Sequence, residues 1–245
     1  MSSLKREQNS RNRAHHGLMS SALVQLNQEI VACTRCPRLI GYCQKIGREK
    51  RRAYLDWDYW ARPVPGFGDP HARVLILGLA PGAHGSNRTG RPFTGDGSGY
   101  FMYPVLYKTG FASQPTATHR GDGLRLNDAY ITAAVRCAPP QNKPTPKEIA
   151  NCAVFLDREM AALKKVQVIV VLGRIGFDAY LNHVKRRGLP VSKADIVFSH
   201  AAHYAMPDGR TLLCSYHPSQ QNTQTGKLTE RMFTEVFLKA RKLLT

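Results

Sequence analysis

Residues 73–96 read RVLILGLAPGAHGSNRTGRPFTGD, a short apolar run that leads directly into a polar, glycine-rich loop. A continuous apolar run of this length is typical of a parallel strand that is covered on both faces. Residues 168–173, VIVVLG, repeat the pattern and lead into a helical periodicity. Strands that alternate with helices predict an α/β protein with a parallel sheet and helices on both of its faces.

The other elements follow from the spacing of apolar residues and from the positions of glycine and proline. Strands are predicted at residues 73–78, 129–135, 168–172, 196–198 and 211–214. Helices are predicted at residues 20–31, 100–109, 147–164, 175–186 and 228–244. Residues 1–17 are polar, basic and aperiodic, so they are expected to form a disordered basic tail before a single domain at 18–245.

The charge of the chain is strongly positive, with 35 lysines and arginines against 17 acidic residues and a net charge of +18. Such a field attracts polyanions, of which nucleic acid is the first candidate and an anionic membrane surface the second. A basic surface with no specific partner is the alternative. No apolar run approaches about 18 residues, and the N-terminus lacks the apolar core of a secretory signal, so a cytosolic protein is expected.

Six cysteines in a chain of this kind favour metal ligands, catalytic thiols or buried small side chains over disulfides. Cys33 and Cys36 form a C-x-x-C motif, and Cys137 and Cys152 flank a proline-rich loop. Four thiolates can hold either a tetrahedral zinc ion or a four-iron cluster. The second pair is not a C-x-x-C, so the common zinc-ribbon pattern is absent. An iron–sulfur cluster therefore remains a group that the four cysteines can hold. Alternatively, the second pair consists of buried thiols.

Ligands of parallel sheets bind at the carboxyl ends of the strands, and three polar loops leave those ends: residues 79–99, 136–146 and 215–229. Glycines in the first loop let the backbone approach a flat or anionic ligand. Phe93 in the same loop either stacks on a base or anchors the loop to the core. His217 in the third loop is either structural or a donor to a developing anion.

Together these motifs resemble one family, the uracil-DNA glycosylases. GLAPGAHGSNRTGRPFTGD at 78–96 is similar to the first motif of the type b, or family-five, branch, and HPSQQNTQTGKLT at 217–229 is similar to its second motif. CTRCPRL at 33–39, with Cys137 and Cys152, is similar to its four-cysteine site. The resemblance implies a three-layer αβα fold around a central, mostly parallel four-stranded sheet. It also implies a structural 4Fe-4S cluster and the removal of deaminated bases from DNA.

The resemblance extends to individual positions. Cys33, Cys36, Cys137 and Cys152 match the cluster ligands. Phe93 matches the aromatic residue that stacks on a flipped base, which is the form in which such enzymes reach their target.

His217 matches the histidine that stabilises the departing base. The remaining base-binding positions that the resemblance implies are Gly78, Leu79, Ala80, Pro81, Gly82, His84, Gly85 and Ser219. Lys227 and Leu228 match the loop tip that presses into the duplex, although Leu228 could instead be the first core residue of the last helix. Asn87 and Asp96 are the candidates for orienting the attacking water.

Two positions depart from the pattern of other branches. Gly78-Leu79-Ala80-Pro81 has no carboxylate where others carry one that positions water. Ala133 and Ala134 stand where a uracil-reading asparagine is often found. The departures loosen the expected specificity for uracil, and the family-five resemblance extends the expected substrates to hypoxanthine and ethenocytosine.

The resemblance further implies a partner, double-stranded DNA that carries a deaminated base, with single-stranded DNA as a further substrate. The protein is then expected to be a cytoplasmic, nucleoid-associated monomer without membrane contact. The alternative is a non-enzymatic nucleic-acid-binding protein with a structural metal site. Charge and cysteines alone would fit that alternative, but it leaves the glycine-rich and histidine-bearing loops without a role.

Overall fold

The computed structural model describes residues 22–192 and 194–244, with a mixed sheet at the centre. Its strands are β1 (Phe67–Gly68), β2 (Val74–Gly78), β3 (Ala129–Ala133), β4 (Val168–Leu172), β5 (His203–Ala205) and β6 (Thr211–Ser215). Their order across the sheet is β1-β3-β2-β4-β6-β5. The predicted tail at 1–17 and the predicted helix start at 20–21 lie outside the described residues.

The four middle strands form the predicted parallel sheet. β2 pairs in parallel with both β3 and β4, and β4 pairs in parallel with β6. Every residue of β2 and β4 is buried, which explains their continuous apolar sequences. The short edge strands β1 and β5 run antiparallel to their neighbours and extend the sheet from four strands to six.

The strand predicted at residues 196–198 is wrong. These residues form a loop in which Val197 is 57% exposed, while the Phe198 ring packs edge-on against Phe177. The place beside β6 is taken by β5, whose first and last residues, His203 and Ala205, are exposed. An exposed edge strand of three residues contains no apolar run, so its position cannot be predicted from the sequence pattern.

The helices are α1 (22–31), α2 (Pro37–Glu49), α3 (Ser86–Thr89), α4 (Gly97–Lys108), α5 (Pro146–Ala162), α6 (Arg174–Arg186), α7 (Gln220–Gln224) and α8 (Glu230–Lys242). Alternate residues of β2 face opposite sides of the sheet. Val74 and Ile76 pack in the cluster that contains α4 and α8, and Leu75 and Leu77 pack in the cluster that contains α5 and α6. The three-layer αβα arrangement is therefore confirmed. None of the described helices is long and apolar enough to cross a membrane.

A third apolar cluster joins α1 and α2 to α5. Leu26 and Ile30 of α1 are buried at helical spacing, as predicted. Thr145 is the N-cap residue of α5 and forms a capping box with Glu148. Arg38 of α2 pairs with the carboxylate of the same Glu148 at 2.7 Å. These contacts hold the cysteine-bearing segments of the chain together.

Candidate active site

A cavity of about 800 Å³ opens at the carboxyl ends of β2, β3 and β6. Most of its wall comes from segments within residues 78–100, 132–142 and 217–221. The three polar loops at the strand ends therefore meet at one site, where parallel sheets bind their ligands. Its volume lies in the range that is typical of small-ligand pockets.

Phe93 is held in the cavity wall by its own backbone. Its φ is +50°, a left-handed conformation that costs a bulky residue roughly 1 kcal/mol or more. Its amide donates to the hydroxyl of Ser86 at 3.0 Å. The ring lies so close to Gly78 that a Cβ atom there would sit 3.2 Å from it. Backbone strain and close approach thus fix the position of this ring.

His217 follows Ser215, the last residue of β6, by two positions. Its carbonyl accepts a hydrogen bond from the Asn222 side chain at 2.8 Å, and its ring centroid lies 5.9 Å from that of Phe93. Enclosure by the cavity wall lowers the pKa of the His217 ring to about 4. The ring is therefore neutral at pH 7, with one nitrogen that can donate a hydrogen bond.

Asp96 is the carboxylate among the residues that line the cavity. One of its oxygens caps α4 by accepting the amide of Gly99 at 2.9 Å. The other faces the glycine-rich loop so closely that a side chain at Gly85 would collide with it. Burial raises the pKa of Asp96 above its ordinary value.

The positions that the resemblance assigned to base binding are brought together. The cavity is lined by Gly78, Leu79, Ala80, Pro81, Gly82, His84, Gly85, Phe93 and Ser219. The Nδ1 atom of His84 lies 3.0 Å from the hydroxyl of Tyr59. Burial lowers the pKa of His84 and raises that of Tyr59, so a neutral imidazole meets a protonated phenol. Ser219 caps α7 by accepting the amide of Asn222 at 3.3 Å.

Asn87 is not brought to the cavity. It is fully buried, and its side-chain amide donates to the carbonyls of Cys43 at 3.3 Å and Ala83 at 3.4 Å. These bonds connect α3 to α2 and to the loop that precedes α3. The expectation that Asn87 orients a water molecule at the sugar is therefore corrected, because its side chain is fully buried and does not line the cavity.

Leu228 is fully buried, in the apolar cluster that contains Phe233 and Phe237 of α8. Its burial disagrees with the expected wedge that presses into the duplex and favours the alternative of a core residue, which lies just before the last helix. Lys227 is exposed, and its Nζ lies 5.1 Å from the centre of the Tyr216 ring. The loop tip consequently presents a cation, not an apolar wedge.

Leu228→Ala is expected to lower the free energy of unfolding by about 3 kcal/mol, because it removes buried methyl groups and leaves a cavity. Urea unfolding of the two proteins measures the difference. The exposed neighbour offers a matched control, since Lys227→Ala should change the free energy of unfolding by less than about 0.5 kcal/mol. Equally small effects of both changes would contradict the buried position of Leu228.

The four predicted ligand cysteines lie in one apolar cluster together with Cys43. The side-chain amide of Asn151 lies within donating distance of the Cys36 sulfur, at 3.5 Å. The Cys43 thiol and burial together raise the pKa of the Cys137 thiol. Within residues 22–192 and 194–244, no group of three or more histidine, cysteine or acidic side chains is arranged to hold a single metal ion. The donor chemistry, buried sulfur in apolar surroundings, suits an iron–sulfur cluster.

An ion pair at the cavity floor is not evident from the sequence. Arg136 lines the cavity and pairs with Glu159, and the two side chains are 2% and 0% exposed. The Thr132 hydroxyl donates to the same carboxylate at 2.6 Å. The only signal of this pair in the sequence is a charged residue three positions after the end of β3.

Two amide side chains at the cavity also escaped the sequence analysis. Gln141 and Asn142 line the cavity and have φ values of +53° and +58°. Asparagine tolerates the left-handed region better than most residues, but glutamine does not, so the sequence marked one of the two positions at best. Two strained residues in succession are typical of a functional loop.

Known proteins resemble this chain over most of its length. The family model of the uracil DNA glycosylase superfamily matches residues 65–241. A type-5 uracil-DNA glycosylase from Thermus thermophilus is 55% identical over 216 residues, which cover 88% of this chain and 95% of that protein. A type-5 enzyme from Mycobacterium bovis is 43% identical over 225 residues, covering 91% and 82%. A type-4 enzyme from Archaeoglobus fulgidus is 34% identical over 120 residues, covering 49% and 52%. The chain therefore belongs to the uracil-DNA glycosylase superfamily.

Proposed function

We propose that this protein excises uracil from DNA by hydrolysing the N-glycosidic bond and leaves an abasic site. The similar proteins from Thermus and Mycobacterium are named uracil-DNA glycosylases, which supports the proposal. The observation that carries it is the single cavity lined by Phe93, His217 and Asp96. An aromatic face, a neutral imidazole and a carboxylate are the three groups that this reaction can use.

The target base leaves the helix and enters the cavity, because its glycosidic bond cannot be reached inside the stack. It stacks on Phe93. The ring centroids of Phe93 and His217 are 5.9 Å apart, which is less than the roughly 7 Å that two stacking contacts of about 3.5 Å require. His217 therefore approaches the edge of the base and does not form the second side of a sandwich.

Bond cleavage is dissociative: the sugar becomes cationic as the base departs as an anion. The neutral His217 ring donates a hydrogen bond to that anion, and backbone N–H groups of the loop after β2 add further dipoles. A preorganised donor of this kind is typically worth about 3 kcal/mol of barrier. The donor acts on charge that exists only during the reaction, so it raises the rate more than the affinity.

Asp96 orients the water molecule that captures the sugar cation. It is the carboxylate of the cavity wall, and its negative charge also favours positive charge on the sugar. Water supplies a hydroxyl to the sugar and a proton to the released base, which balances the hydrolysis. Asn87 takes no part in this step, because its side chain is fully buried and does not line the cavity.

We extend the proposal to hypoxanthine and ethenocytosine. Ala80 and Ala133 line the cavity, and neither methyl group can hydrogen-bond to the edge of uracil or exclude a larger base by its bulk. Duplexes that differ only in one lesion, together with single-stranded uracil DNA, test the range after alkaline strand cleavage. Release of uracil and of at least one larger base is expected. Release of uracil alone would restrict the function to uracil.

Titration of His217 is expected to leave the rate of base release unchanged between pH 7 and pH 9. His217 has a pKa of about 4 and is neutral throughout that window, so no proton is gained or lost there. At lower pH the rate should fall as Asp96, whose pKa is raised by burial, becomes protonated and neutral. Single-turnover rates across this pH range measure the profile. A rate that rises as the pH falls through 6.5 would contradict a neutral His217.

We propose that Cys33, Cys36, Cys137 and Cys152 hold a structural 4Fe-4S cluster. When bound, it would cross-link the segment before α2 to α5 and to the loop after β3, and so stabilise the fold. Purified protein should be brown and contain about four iron atoms per chain. Cys36→Ser should lose the iron, whereas Cys214→Ser, which changes a buried thiol of β6, should keep it. A colourless protein with stoichiometric zinc would replace the cluster by zinc.

The proposed partner is double-stranded DNA, with single-stranded DNA as a second substrate. The net charge of +18 supports an electrostatic, salt-dependent search of DNA. We further propose that the protein acts as a monomer in the cytoplasm, near the nucleoid. A nucleic-acid-binding protein without enzymatic activity is the competing function. A protein that only binds nucleic acid would account for the positive charge. It would not account for a neutral histidine and a carboxylate in one cavity.

A further inference from the structure

His200 lies outside the three loops of the cavity, in the irregular segment between α6 and β5. Its Nδ1 atom accepts a hydrogen bond from the backbone amide of Tyr216 at 3.3 Å. The two rings also pack together, with centroids 5.1 Å apart and a tilt of 32°. We propose that His200 is a positioning residue, which holds His217 in its catalytic position through Tyr216. This inference rests on the proposed function and assigns a new residue to it.

The backbone beside His200 fixes the position of its ring. Ala201 has a φ of +62°, a left-handed conformation that costs an alanine roughly 1 kcal/mol. The Ala201 amide donates to the carbonyl of Cys214 at 2.8 Å, and the Cys214 amide donates to Ala202 at 2.8 Å. Pairing with β6 sustains the strained turn, which places His200 opposite Tyr216.

The bond to Tyr216 requires a neutral His200 whose proton is on Nε2. Burial lowers the pKa of the ring, while a hydrogen bond to the backbone of Met232 and the carboxylate of Glu235 raise it. Both of these residues are on α8. The net pKa lies below the ordinary value, so at pH 7 the ring is neutral and Nδ1 can accept a hydrogen bond. The ring therefore links α8 to Tyr216, the residue directly after β6.

The neighbouring backbone groups have partners within the loop itself. The Ser215 hydroxyl donates to the Tyr216 carbonyl at 2.9 Å, and Asn222 donates to the His217 carbonyl at 2.8 Å. The amide of Tyr216 instead depends on His200, which lies 16 residues away along the chain. Without that acceptor, the residue directly before His217 can shift. A displacement of about 1 Å in a catalytic group can cost a hundredfold in rate.

Two variants separate the hydrogen bond from the packing of the ring. His200→Phe keeps an aromatic ring against Tyr216 but has no acceptor, whereas His200→Asn places an amide oxygen where Nδ1 was. With saturating protein on a U·G duplex, His200→Phe should release base about tenfold more slowly than wild type at unchanged DNA affinity. His200→Asn should stay within about threefold of wild type. Exchange of the Tyr216 amide proton, measured without DNA, should be fast in His200→Phe and slow in the other two proteins.

A wild-type rate in His200→Phe would overturn the inference, and so would an equal loss in His200→Asn. If the phenylalanine variant does not fold, His200→Gln replaces it, since its longer side chain puts the amide nearer the Nε2 position than the Nδ1 position. A wild-type protein that releases no base would defeat the proposed function instead. The exchange comparison would then still decide whether His200 holds Tyr216, because it needs no catalysis.

Discussion

His217→Ala is expected to slow base release a hundredfold or more while leaving the affinity for DNA nearly unchanged. The neutral ring donates to the departing base, and removal of one such preorganised donor typically costs about 3 kcal/mol of transition-state stabilisation. Negative charge on the base develops only as the bond breaks, so the ground-state complex loses little. Single-turnover rates with saturating protein, together with equilibrium binding to a uracil-containing duplex, measure the two quantities separately.

A histidine elsewhere on the sheet provides the control for this variant. His203 is exposed on β5 and lies outside the lining of the cavity, so His203→Ala should retain the wild-type rate. The role of His217 would be refuted by a variant that keeps most of its single-turnover rate. A loss of DNA affinity as large as the loss of rate would show that His217 binds DNA in the ground state.

Glu159→Leu is expected to lower the free energy of unfolding by about 4 kcal/mol. Glu159 and Arg136 are both buried, so the change leaves a buried guanidinium without its counter-charge. It also removes the acceptor of the Thr132 hydroxyl. Glu159→Gln keeps the shape and an acceptor oxygen, and should lose less. Urea unfolding of the three proteins measures the differences, provided that the unfolding free energy falls with urea concentration at the same slope in all three.

An exposed ion pair of the same kind provides the comparison. Glu29 pairs with Arg158, and both side chains are more than two-fifths exposed. Exposed pairs of this type are worth about 0 to 1 kcal/mol, so Glu29→Leu should have a small effect. If Glu159→Leu were as mild as Glu29→Leu, the ion pair beneath the cavity would not be buried as described.

Much of the fold could be predicted because buried parallel strands have a distinctive sequence. Val168–Leu172 is apolar at every position since both faces are covered, and glycine follows it directly. The edge strand His203–Ala205 has no such signature, because its end residues face solvent. The short apolar run at 196–198 predicts a strand that the structure does not contain. Burial on one side by Phe177 and Tyr216 accounts for Phe198 without any strand pairing.

The site was predictable where the motif is local and not where it depends on packing. Phe93 and His217 could be placed near each other from the sequence alone, because both lie in loops that follow the carboxyl ends of parallel strands. The position of Leu228 depends on how α8 packs against the sheet, and the polar sequence before it suggested an exposed tip. His200 lies in a different segment from the Tyr216 amide that it holds, a pairing that no spacing rule reveals.

Alkaline treatment of a U·G duplex after incubation with the protein tests most directly whether this cavity releases a base. Alkali breaks a strand at an abasic site but leaves an intact glycosidic bond alone. Wild-type protein is expected to produce a break at the position of the uracil, and His217→Ala should produce it far more slowly. An intact strand after long incubation with excess wild-type protein would contradict base release and favour a protein that only binds nucleic acid.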